Sequence, residues 1–106
     1  MSGRIVIVGY QPKPGKEQAL DVLTRKHYNV LNEAGLVSAR TPIIMKANNG
    51  TVVEVFEWKS AAAIEQAHTH PMVLKLWEEY AEVCDYVPVG TLAEINNLFS
   101  EFTPFE

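Results

Sequence analysis

His27, Glu54 and His68 are the positions in this 106-residue chain where proton chemistry and an inward-pointing pattern coincide. His27 shares a helical stripe with Leu20, Leu23, Val30, Leu31 and Ala34, which turns it toward the protein's interior. A neutral imidazole held there acts as a base or orients a substrate hydroxyl. The alternative is a core histidine bonded to a neighbouring carboxylate or carbonyl. Glu54 lies mid-strand on the parity of Phe56 and Trp58, and a carboxylate against aromatic surface has its charged form disfavoured unless it is paired. Such a group suits proton transfer; the other reading is a rim glutamate bridged to Arg40 or Arg4. Glu57 has the opposite parity, so it and Glu54 cannot enter one pocket, which argues against a paired-carboxylate hydrolase.

His68 is a candidate for the pocket lining, with a proton-handling role beside His27. His70 stands about 200° around a helix from it, so the two do not converge as the pair of a zinc helix would, and no metal site is expected. Tyr10, Trp58, Trp77 and Tyr80 are the candidate substrate-binding side chains, with Tyr86 completing the aromatic set. They suit a planar or apolar ligand, although an aromatic stripe at helical spacing also serves as core. No Rossmann glycine pattern or phosphate loop is present, and no cofactor is expected.

The elements that must position these groups follow from periodicity. Arg4 to Tyr10 is apolar on both parities and reads as an interior strand. After the breaker Pro12-Lys13-Pro14-Gly15, the run from Lys16 to Ala34 is a first helix, stopped by Gly35. Leu36 to Met45 and Thr51 to Trp58 are two strands around Asn48-Asn49-Gly50. Ser60 caps a helix carrying Ile64, Ala67 and His68. Pro71 breaks it and opens a second segment with Val73, Leu76, Trp77, Tyr80 and Val83. Val87 to Ile95, with Pro88 near its start, reads as the last strand. The order is β-α-β-β-α-β over one domain, residues 1–106: an α+β, ferredoxin-like, four-stranded antiparallel sheet with helices on one face.

The other face needs a cover, because Ile5, Ile7, Val53 and Val55 leave no polar side. A second copy packed sheet to sheet is the economical cover, so a homodimer is expected. The tail spaces Phe99, Phe102 and Phe105 at threes, and is expected to pack on its own domain or over the partner subunit. A net charge of −4 and the lack of a Lys/Arg cluster argue against nucleic acid or an anionic membrane as partner. The apolar run Ile5 to Val8 is too short for a signal or a membrane span, and a cytoplasmic location is the default expectation. Cys84, the one cysteine, falls in the second helical run as an inert buried thiol.

The strand order, the strand-ending Glu57-Trp58-Lys59-Ser60, the Ala-rich helix start and His68-Thr69-His70-Pro71-Met72-Val73 together resemble the dimeric α/β-barrel superfamily, in particular antibiotic-biosynthesis monooxygenases. That superfamily includes cofactor-free oxygenases of polyphenols, haem-degrading oxygenases, small-ring isomerases and proteins without known activity. Members commonly place a histidine one residue nearer the tryptophan than His68 stands to Trp58, and this chain has no asparagine on its first strand, as the haem-degrading relatives require. The resemblance implies a cofactor-independent monooxygenase-like enzyme acting on a small apolar or aromatic compound. The competing expectation is a non-catalytic small-ligand-binding or stress-related module.

Overall fold

The alternately facing run after Gly3 forms β1 (Arg4–Pro12), which has a hydrogen-bonded neighbour on each side: β3 (Val52–Trp58) and β4 (Cys84–Val87). The computed structural model describes residues 3–105. β2 (Ile43–Lys46) extends the sheet beyond β3, and a two-residue strand, β5 (Thr103–Pro104), closes that edge. The sheet is antiparallel throughout, in the order β4-β1-β3-β2-β5. The expected sheet of four strands therefore has five, because the tail returns to pair with Met45 and Lys46.

α1 (Glu17–Glu33) buries Leu20, Leu23, Thr24, His27 and Leu31, the stripe that faces the sheet. It ends where Gly35 takes φ 77° and Leu36 N–H donates to the Leu31 carbonyl at 3.1 Å, a left-handed stop that disfavours a side chain. The helical run after Ser60 divides as expected: α2 (Ala61–Ala67) is capped by the Ser60 hydroxyl, and α3 (Pro71–Val83) starts on Pro71. His70 is the cap of α3, its Nδ1 accepting from Met72 N–H at 3.2 Å.

Three boundaries differ by more than two residues from the sequence expectation, and β1 runs two residues further than expected, into Pro12. β2 does not begin at Leu36: Val37 makes one bridge to Trp58, and residues 38–42 leave the sheet before pairing resumes at Ile43. The departure places Ser38 and Arg40 over Glu57, whose carboxylate accepts from the Ser38 hydroxyl at 2.7 Å and from Arg40 Nε at 3.0 Å. Those two donors hold the Glu57 carboxyl below its usual range. The last strand starts at Cys84 rather than Val87 and stops before Pro88, which has no N–H to continue the ladder. Residues expected in that strand form two 3-10 turns, Val89–Thr91 and Ala93–Asn96, which carry Leu92 across the back of the sheet onto Val53 and Ala47. Cys84 consequently sits at the helix-to-strand junction, not inside a helix.

The helices cover one sheet face in two apolar clusters. Phe56, Trp58, Leu31, Ala67 and Val73 belong to the first; Tyr10, Val52, Leu20, Leu76 and Tyr80 belong to the second. On the reverse face the C-terminal segment covers only Val53 and its surroundings. Ile5, Ile7 and Ile43 remain 57–61% exposed there. In the tail, Phe102 packs beneath this cover and Phe105 lies under Arg25 and Lys46, while Phe99 is exposed. No helix among the described residues is long and apolar enough to cross a membrane.

Candidate functional site

Glu54 is the residue on β3 between Val52 of one apolar cluster and Phe56 of the other, and alternation points it at the helices. Its side chain is wholly inaccessible to solvent, which a carboxylate tolerates only with polar partners. Two are present. Tyr10 reaches across from β1 and donates its hydroxyl to Oε1 at 2.8 Å. His27 comes down from α1 and places Nδ1 3.0 Å from Oε1 and 3.1 Å from Oε2.

This arrangement assigns the tautomer. A carboxylate accepts at this contact, so in the neutral ring Nδ1 carries the proton and Nε2 is the acceptor. Ring contacts fix the plane of the imidazole: Phe56 and Tyr80 both meet it edge to face, at 5.2 and 5.5 Å between centroids. Tyr80 is fully buried and stacks on Tyr10 at 4.7 Å. Burial, with the Glu54 charge adding to it, raises the Tyr10 phenol well above its ordinary range, so Tyr10 stays a donor.

His27 and Tyr10 line a cavity of about 150 Å³. Its other walls are Val6 and Val8 of β1, Phe56 and Trp58 of β3, Trp77 of α3 and Tyr86 of β4. An ionisable dyad thus opens into surroundings that are otherwise apolar and aromatic, the composition of a small-molecule site. Among the described residues, no group of three His, Cys, Asp or Glu side chains is placed to hold a metal ion.

Of the sequence candidates, His27, Glu54, Tyr10, Trp58 and Trp77 meet at this one place. Tyr80 is in the layer beneath it and supports Tyr10 without lining the cavity. His68 is exposed at the end of α2, where its Nδ1 donates to the Ile64 carbonyl at 2.8 Å. Its ring meets the edge of Trp77 at 5.3 Å, so it touches the site only through that indole. Arg40 bridges Glu57 instead of Glu54. The lining residues not singled out from sequence, Val6, Val8 and Phe56, carry no chemical signal of their own; their parity with Glu54 was the available clue.

Cys84 is buried near the site, and burial pushes its thiol up to about 11, with the Asp85 carboxylate adding to the effect. A raised value means less thiolate at neutral pH in the folded protein than in the unfolded chain. Ellman's reagent at pH 8 should therefore modify folded Cys84 at least about a hundredfold more slowly than urea-unfolded protein. Equal rates would show that the thiol is accessible and ionised.

No protein-family model matches the chain, and no curated protein matches it. Among solved structures it is similar in fold to Rv0793 from Mycobacterium tuberculosis, with a TM-score of 0.66 over 81% of this chain and 89% of that one. The two sequences are 18% identical, so what they share is the fold.

Proposed function

We propose that this protein is a cofactor-independent, monooxygenase-like enzyme that uses His27 as the base on a small apolar or aromatic compound with a weakly acidic proton. The observation that carries this reading is the buried Glu54–His27 pair facing an aromatic cavity. Nε2 takes the substrate proton, and Glu54 holds the ring and stabilises the imidazolium that forms. Exclusion of water by Phe56, Trp58 and Trp77 keeps the resulting carbanion or phenolate from being reprotonated. That anion is the reductant: an activated methylene reacts with molecular oxygen, one oxygen atom becoming the new carbonyl and the other leaving as water. The resemblance of the Trp58 to Val73 region to antibiotic-biosynthesis monooxygenases supports the oxidative chemistry.

The same resemblance supports a ferredoxin-like subunit that pairs through its open sheet face into a dimeric α/β barrel. Ile5, Ile7, Ile43 and Val55 form the apolar surface for that pairing.

Oxygen uptake over anthrone and a panel of naphthols and hydroquinones tests the activity. His27→Gln keeps a polar side chain of similar reach but cannot take a proton, and should lower turnover by about a hundredfold or more. A panel that binds equally to wild type and His27→Gln, with no uptake by either, would establish a ligand-binding module in place of an enzyme.

A further inference from the structure

A second hollow, of about 250 Å³, adjoins the His27 cavity, and Trp77 and Tyr86 are walls of both. Its cause is local. Trp77, Ala81 and Cys84 follow one another at helical spacing along α3 and into β4, and the small Ala81 leaves space between two larger neighbours. Tyr86 closes the opposite side, opposed to Tyr10 in the β1–β4 ladder with its ring 5.6 Å away. The inner cavity alone, at about 150 Å³, falls below the range of about 300–1,000 Å³ typical of ligand sites; the outer hollow brings the pair into it.

We infer that the two hollows are one elongated site, in which the ligand's acidic group lies at His27 and an apolar extension passes between Trp77 and Tyr86 into the chamber under Ala81. This rests on the reading of the inner cavity as the substrate site and names the substrate class: longer than a single ring, apolar at the distal end and without an anionic group there. Three observations set those requirements. The outer walls are Trp77, Ala81, Cys84, Asp85 and Tyr86; the Asp85 carboxylate among them repels an anion; and Lys13 has its ammonium bonded to the Ala81 carbonyl at 2.8 Å, outside the lining. Tyr86, though 55% exposed, stays protonated at neutral pH, since partial desolvation pushes its phenol up to about 12.

The test is calorimetric binding of phenol and 4-propylphenol, with anisole and 4-propylanisole as a pair that has no acidic proton. The three added carbons should tighten binding about tenfold or more in both pairs. Ala81→Trp fills the outer hollow from an exposed helix position and should reduce that ratio to about one; Ala81→Leu should reduce it partway. A ratio near one in the wild-type protein, or a full ratio retained in Ala81→Trp, overturns the inference. His27→Gln separates this from the base reading. That substitution should weaken phenol and leave the anisole ratio intact, so loss of the His27 dependence sinks the base, whereas loss of the anisole ratio sinks the second chamber.

Discussion

Replacement of Glu54 by alanine should destabilise the protein by about 2–6 kcal/mol, since each buried donor left without its acceptor costs about 1–3 kcal/mol. The carboxylate is at 0% exposure and accepts from both the Tyr10 hydroxyl and His27 Nδ1, so its loss leaves two buried donors unpaired at the seam between two apolar clusters. A domain of this size has a total stability of about 5–15 kcal/mol, and the variant should unfold at a much lower urea concentration. Glu54→Gln preserves shape and one acceptor but turns an amide N–H toward one of the donors, which should cost about 1–3 kcal/mol. Glu57→Ala is the comparison: that carboxylate is on the opposite parity, and its donors Ser38 and Arg40 can turn to water when it is removed, so the urea midpoint should fall by less than in Glu54→Ala. A Glu54→Ala protein with a wild-type midpoint would show that the carboxylate does not organise this core.

In the proposed sheet-to-sheet dimer, Val55→Asp should leave a folded monomer. In the antiparallel register Val55 has Ile7 on one side and Ile43 on the other, so the three form a row across the open face of β1, β3 and β2. Ile7 and Ile43 are 57% and 61% exposed in the single subunit, and so large an apolar surface on a sheet calls for a partner. In a two-fold pair each substitution enters the interface twice, placing two unpaired carboxylates in it. The dissociation constant should rise by about a thousandfold or more, equivalent to about 4 kcal/mol. Sedimentation velocity with Val55→Asp and with Met72→Asp, a control on the exposed side of α3, measures this. Wild-type protein that sediments as a monomer at about 100 μM, where an association weaker than about 5 kcal/mol goes undetected, would remove the interface.

Apolar periodicity was enough to place α1, because a helix that must bury one face repeats its apolar residues at the period of its own backbone, whereas β1 and β3 were legible as β-rich apolar runs bounded by the Pro12–Gly15 and Asn48–Gly50 breakers. Gly35 and Pro71 marked their boundaries for equally local reasons, a left-handed φ at the first and a missing N–H at the second. The start of β4 was not legible: no Gly or Pro separates Val83 from Cys84, and the chain changes from helix to strand where pairing with β1 becomes available. The fifth strand likewise exists only through its partner, since Thr103 and Pro104 are too short a run to signal anything alone.

For the site, residue type and parity were sufficient to nominate His27 and Glu54, because the stripe of α1 and the alternation of β3 both point inward whatever their neighbours are. That these two meet each other, with Tyr10 as the second donor, was decided by the β1–β3 register and by the position of α1 over the sheet. The same long-range packing left His68 outside, bonded to its own helix, and brought in Tyr86 from an edge strand. Hydrogen bonds and cavity walls join residues far apart in the chain, and distances of that kind are set by how elements pack, not by any periodicity within one of them.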